Sequence, residues 1–228
     1  MAIITASRIM LIHALAESLA PIHQAFASDW PEARCFDLLD TSLAVDLAFD
    51  GSVTATMCER FLSLAHYAAG LTGEGGGTAG ILFTCSAFQP AIDAVKRDLS
   101  MPVLRPNEAA FEEALASGSR IGLLVTFAPS LPALTIELRG MAAERGVPLK
   151  LDARFVEGAL AALKAGDGAR HDTLVAAAAA EMRDLDALVL GQFSLARAAA
   201  AIAPVAGRKL LTTPVSAVRK LRSLVQLA

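Results

Sequence analysis

The sequence predicts an α/β protein of two pseudo-symmetric lobes, each a parallel sheet flanked by helices, with an active-site cleft between them. Three observations carry this. Short, nearly continuous apolar runs alternate with longer alanine-rich stretches, the pattern of parallel strands joined by crossover helices. The run Arg8-Ile9-Met10-Leu11-Ile12 returns 112 residues later as Arg120-Ile121-Gly122-Leu123-Leu124, and Ala16-Glu17-Ser18-Leu19 follows in step as Ala128-Pro129-Ser130-Leu131. Further along, Gly80-Ile81-Leu82-Phe83-Thr84-Cys85 corresponds to Ala187-Leu188-Val189-Leu190-Gly191-Gln192, 107 residues on: in each, an apolar strand runs into a polar loop.

In chain order the expected strands are Arg8–His13, Arg34–Leu39, Gly80–Phe83, Val103–Leu104, Ile121–Val125, Leu149–Ala153, Ala187–Leu190 and Leu210–Thr212, all read as buried on both faces. Thr54–Leu71 places Met57, Phe61, Leu64 and Ala68 at helical spacing, and Asp172–Arg183 carries an acid at its start and an arginine near its end, complementing the helix dipole. Asn107 before Glu108 reads as an N-cap, and Pro214 suits the first turn of a final helix. The lobes are expected at residues 1–105 plus 207–228 and at 106–206.

At roughly 150 residues per domain, 228 residues allow one large or two small domains. Hydrophobic residues at 54% against 19% charged, with a net charge of −3, exclude disorder and give no basic surface for nucleic acid. Mean hydropathy is high at +0.50. The longest charge-free stretch, Gly75–Ile92, nevertheless contains four glycines, Gln89 and Pro90, which a bilayer helix of about 20 apolar residues would not carry. Met1–Arg8 shows neither a basic leader region nor a small-residue cleavage site, so a cytoplasmic location is expected. Few charges amid much apolar surface are compatible with a homo-oligomer. Three widely spaced cysteines, an odd number, argue against a disulfide framework and a CxxC site.

Polar groups gather where the expected strands end: His13, Asp40-Thr41-Ser42, Thr84-Cys85-Ser86, Thr126, Gln192-Phe193-Ser194 and Thr212-Thr213. Ligands of open α/β sheets bind beyond the carboxyl ends of the strands, so two facing lobes would gather these groups around one cleft. Only Cys85 among them is a strong nucleophile or a base of tunable pKa. A helix beginning near Ala87 would favour its thiolate, and Thr84 and Ser86 beside it suit an anion. The alternative for Cys85 is a buried small hydrophobe, the role assigned to Cys35 and Cys58. His13 ends the first strand and either faces the cleft or serves as a hydrogen-bonded structural residue. His23, His66 and His171 share no spacing with other ligand types, so no metal is expected. The run Gly73-Glu74-Gly75-Gly76-Gly77 precedes a strand and lacks a phosphate-loop ending, and reads as a flexible connection.

The Gly80–Phe88 segment, with its strand-Thr-Cys-Ser turn, together with Pro102–Ala109, Arg120–Ser130 and Gly191–Ser194, resembles the aspartate/glutamate/hydantoin racemase superfamily, in order and over nearly the whole chain. The resemblance implies a cofactor-independent enzyme acting on a small carboxylate, in which two cysteines exchange a proton at the substrate α-carbon. By that likeness Cys85 is the first-lobe cysteine, Ser86 the neighbouring carboxylate anchor and Thr126 a substrate-binding hydroxyl. The chain departs from the pattern after Leu190, where Gln192, Phe193 and Ser194 replace the second cysteine, and after the first strand, where Ile12-His13-Ala14-Leu15 lacks an acid. Racemisation needs an acid and a base on the two faces of a carbanion, and one thiol serves one face. The expected activity is therefore proton transfer or thiol addition through Cys85 alone, with Thr84, Ser86, Thr126, Gln192, Phe193, Ser194, His13 and Ser42 around the substrate. The alternatives are malonate-type decarboxylation and binding of a small acid without turnover.

Overall fold

The structure, a computed structural model, describes residues 6–227. Met1–Thr5, part of the segment on which the leader expectation rests, lie outside the described residues. The chain divides into two compact units, one comprising residues up to Pro106 and from Ala217 onward, the other Asn107–Ser216.

The first unit holds β1 (Arg8–His13), α1 (Leu19–Asp29), β2 (Arg34–Leu39), α2 (Ser42–Asp50), α3 (Ala55–Ala69), β3 (Thr72–Gly73), β4 (Gly76–Phe83), α4 (Gln89–Asp98) and β5 (Val103–Leu104). Its sheet runs β2-β1-β4, with β5 parallel on the far side of β4 and β3 antiparallel to the start of β4. The second unit holds α5 (Glu108–Ser117), β6 (Arg120–Val125), α6 (Ser130–Glu144), β7 (Lys150–Phe155), α7 (Ala159–Lys164), α8 (Gly168–Glu181), β8 (Ala187–Leu190) and β9 (Lys209–Thr212), and the chain ends in α9 (Thr213–Leu227). Its sheet, β7-β6-β8-β9, is parallel throughout. Leaving the β3 hairpin aside, the two sheets have one strand order, so the internal repeat seen in the sequence is a repeat of topology.

The central strands are apolar for the reason the sequence implies. All six residues of β1 are buried, as are the four of β8, because each lies between two parallel neighbours and beneath helices. β2 and β7 depart from the expectation of burial on both faces. Each pairs on one side only, and both are part-exposed along their length. The expected boundaries also placed residues 207–228 with the first lobe, whereas Lys209–Thr212 pairs with β8 of the second sheet and only residues from 217 group with the first unit.

Helix α3 is capped by Thr54, whose Oγ1 accepts from Met57 N at 3.3 Å, and it buries Met57, Phe61, Ala65 and Ala68. Helix α8 starts earlier than expected: Asp167 is its cap, accepting from Arg170 N at 2.9 Å, while Asp172 pairs with His171 and Arg197. The glycine run is a tight hairpin and no flexible connection, with Thr72 opposite Gly77 and Gly73 opposite Gly76. Gly75 sits there at φ +83°, where a Cβ would meet the Arg8 backbone at 3.2 Å.

Candidate active site

The carboxyl ends of the first sheet are organised around an aromatic platform. Phe61 of α3 stacks on Phe83, the last residue of β4, at 5.2 Å between ring centres, and packs at a tilt of 35° against Phe88 at 4.9 Å. Phe83 and Phe88 bracket Thr84-Cys85-Ser86-Ala87, so one buried ring holds the turn at both ends. Thr84 N donates to Ile12 O at 3.0 Å, continuing the β1–β4 ladder past the strand.

Above β1, His13 is fully buried and its ring is held at both nitrogens. Nδ1 lies 2.8 Å from Ser18 Oγ and 2.9 Å from Thr84 Oγ1, the two hydroxyls lie 2.9 Å apart, and Ser18 Oγ donates to Leu15 O at 2.7 Å. Nε2 lies 2.9 Å from Asp37 Oδ1, and Asp37 also pairs with His23. Burial lowers the His13 pKa and the Asp37 carboxylate opposes the fall only in part, so the ring is neutral at pH 7. Facing the Asp37 carboxylate, that neutral ring carries its proton on Nε2 and accepts at Nδ1 from Thr84, since the Ser18 proton goes to Leu15 O. Through these contacts His13 binds β1, β2 and the Thr84 turn together.

Cys85 is 9% exposed. Its sulfur accepts from Ala87 N–H, which favours the thiolate, but burial outweighs this and pushes the thiol up to about 11. The expectation of a helix-stabilised thiolate is therefore corrected: α4 starts only at Gln89, and Cys85 is a neutral thiol at pH 7. Ser86 is buried beside it. Ser42 is exposed and lies in a separate cluster. Its Oγ donates to Asp40 Oδ1 at 2.6 Å and accepts from Arg60 Nη2 at 2.6 Å, while Arg60 also binds Asp40 and Asp46.

In the second unit, Gly191 N donates to Leu124 O at 2.9 Å as Thr84 N does to Ile12 O, and Leu190 pairs with Leu124 as Phe83 pairs with Ile12. Gln192 is therefore the register equivalent of Cys85. Its Oε1 accepts three bonds, from Thr126 N at 2.5 Å, Thr126 Oγ1 at 3.0 Å and Phe127 N at 3.1 Å, and its Nε2 donates to Ser130 Oγ at 3.4 Å. Asn107 holds the same turn: it stands at the cap position of α5, but its side chain makes no capping bond and Nδ2 donates to Gly191 O at 2.7 Å. Phe193 and Ser194 are buried at the start of a 3₁₀ helix, Phe193–Ala201. Among the described residues no group of three or more His, Cys, Asp or Glu side chains is placed to hold a metal, and no helix is long and apolar enough to cross a membrane.

The two sheets thus share one strand order, with Cys85 and Gln192 at matching turns, and the Asp/Glu/Hydantoin racemase family profile matches residues 16–221. The chain belongs to the Asp/Glu/hydantoin racemase family. Membership supports a racemase- or isomerase-type activity on small acids. Solved structures share the fold. A glutamate racemase from Campylobacter jejuni subsp. jejuni superposes with a TM-score of 0.71 at 14% identity, over 95% of this chain and 85% of that one. An allantoin racemase from Klebsiella pneumoniae gives 0.66 at 20% identity, over 97% and 89%. The Picrophilus torridus aspartate racemase gives 0.68 at 12% identity, over 97% and 95%. Among curated proteins none matches the chain in sequence.

For this racemase-family chain, the structure brings His13 to Thr84 and Thr126 to Gln192, and leaves Ser42 in its own ion-pair cluster. Sequence reasoning missed Asp37 and Ser18. Asp37 carried a signal, a charge inside the apolar run Cys35-Phe36-Asp37-Leu38-Leu39, beside a strand that ends in a histidine.

Proposed function

We propose that the protein catalyses proton transfer at the carbon next to a carboxylate of a small acid, without a cofactor, and that Cys85 is its single catalytic thiol. The observation that carries the reading is the matched register of Cys85 and Gln192. At the position where one unit offers a thiol, the other offers a carboxamide whose oxygen already accepts three bonds. A carboxamide neither takes nor gives a proton near neutral pH, so the chain has one acid/base group for this step where two-base racemisation needs two.

A second reading is favoured by the ionisation of Cys85. A thiol held up to about 11 is an acid in the resting protein. It suits delivery of a proton to a carbanion formed in another way, as when a malonate-type acid loses CO₂ and the electrons of the broken C–C bond remain on the α-carbon. The S–H proton goes to that carbon, the thiolate is met by Ala87 N–H, and solvent restores the thiol. Ser86, beside Cys85, is the hydroxyl assigned to a carboxylate oxygen.

The test is proton NMR in D₂O with a panel of small 2-substituted carboxylates and malonates. Stereospecific incorporation of deuterium, lost by at least about 100-fold in Cys85→Ser, is the expected result. Efficient racemisation by the unmodified protein would require a second acid and would refute the single-thiol reading.

A further inference from the structure

We propose that the second unit carries a separate binding site for a small organic carboxylate with an apolar body, at the end of its sheet remote from Gln192. A cavity of about 690 Å³ lies there, lined by the last turn of α8, the segment Arg183–Leu185, the end of the 3₁₀ helix and the loop leading into β9. Arg120 opens β6 and lines it, whereas Thr126 follows that strand's other end, so at about 3.3 Å per residue the cavity lies roughly 20 Å from the Gln192 cradle. Its volume falls in the range of small-molecule sites, about 300–1,000 Å³.

The lining fits an amphipathic anion. Ala176, Leu185, Ile202 and Val205 form apolar walls, and Val205 remains 51% exposed. Three arginines converge on them. Arg120 is neutralised by Asp186, which accepts from its Nε and Nη2 at 3.1 and 2.6 Å. Among the described residues Arg208 has no carboxylate partner and donates to the main-chain carbonyls of Ala179, Met182 and Ala203, at 3.3–3.4 Å. Arg183 makes no hydrogen bond or ion pair among the described residues. Asp184, the only non-glycine described residue in the left-handed backbone region, at φ 55°, turns the chain so that Arg183, Asp184 and Leu185 all line the cavity. The lining carries three arginines against two carboxylates, Asp184 and the Asp186 bound to Arg120, which leaves an excess of one positive charge. A single carboxylate supplies the balance, and the planar fork of an arginine can bind it at two points.

The proposal is tested on the full chain by isothermal titration calorimetry with octanoate, using acetate and 1-octanol to separate charge from apolar contact. One-to-one binding of octanoate is expected, with acetate and 1-octanol weaker by about tenfold or more. Arg183→Ala and Ala180→Trp, both at exposed positions, are each expected to weaken octanoate by about tenfold while thermal unfolding verifies that the variants fold. Binding should be unchanged in Cys85→Ala. Absence of saturable binding, equal affinity for 1-octanol, indifference to either cavity variant, or loss in Cys85→Ala would each overturn the site. None of these outcomes depends on whether the protein turns over a substrate.

Discussion

If Cys85 is a neutral thiol with a pKa of about 11, its reactivity has a calculable pH dependence. At pH 8 an ordinary thiol with a pKa of about 8.5 is roughly a quarter thiolate, whereas Cys85 is about one part in a thousand, a deficit of ~250-fold. A more basic thiolate is also a better nucleophile, and a Brønsted slope of about 0.45 over ~2.5 units returns a factor of ~13. The net expectation is that Cys85 attacks an aromatic disulfide at pH 8 about 20-fold more slowly than glutathione, before any further slowing by restricted access. Between pH 7 and 10 the logarithm of its rate should rise with unit slope. The assay is stopped-flow mixing with the disulfide over that range, with the Cys85 peptide quantified by mass spectrometry. A rate that levels off near pH 7–8, or that equals glutathione at pH 8, means the thiolate is already formed in the resting protein. The acid role would then fall.

Other expectations follow from the same physics. Cys85 and Cys35, the latter pushed up to about 12, hold their protons more tightly when folded, so both contribute stability below pH 9 that is lost as pH rises through 11 and 12. Urea unfolding should show this alkaline loss, and Cys35→Ala should reduce it. The lowered pKa of buried His13 acts oppositely: its contribution is complete above about 6.5 and is lost as pH falls through the folded value. His13→Ala removes the partner of Asp37, Ser18 and Thr84 together and is expected to cost about 2–4 kcal/mol in urea unfolding, whereas a cost within 0.5 kcal/mol, given as a rough threshold, would contradict the network. Gly191→Ala would bring a Cβ to 2.7 Å from Leu123 Cδ1 and should destabilise by about 1–3 kcal/mol. Gln192→Cys strips Thr126 N and Phe127 N of their acceptor and gives the second unit a thiol in the register of Cys85. It should lower stability in urea unfolding, because two backbone amides lose their acceptor.

The fold was legible because its information is local. Runs such as Ile121-Gly122-Leu123-Leu124-Val125 are apolar as only a strand buried on both faces needs to be, and the repeat pointed to two similar lobes. The edges were harder: β2 still carries the apolar pairs Cys35-Phe36 and Leu38-Leu39 among its charges, and exposure depends on which strand lacks a neighbour, a tertiary fact. At the site, the sequence placed Cys85 after a strand and Gln192 at the matching turn. The Gln192 cradle was hidden because Thr126 and Gln192 meet across 66 residues of sequence, and the His13–Asp37 pair because it needs the β1–β2 register. The ionisation of Cys85 was misjudged for a quantitative reason: one backbone donor competes with nearly complete desolvation, and desolvation is the larger effect.

The outer strands also constrain how copies of the protein can associate. An unpaired parallel strand offers a row of free backbone donors and acceptors to any other chain, and β2 and β7 are such rows. Both are studded with charge: Arg34 and Asp37 along β2, and Lys150, Asp152 and Arg154 along β7, with Arg154 bridging Asp152 to Glu181 of α8. A strand laid against either edge would have to strip water from these groups or place its own side chains against them, at a cost that continued hydrogen bonding does not offset. Growth of the sheets from molecule to molecule along β2 and β7 is therefore disfavoured by the charges these strands carry.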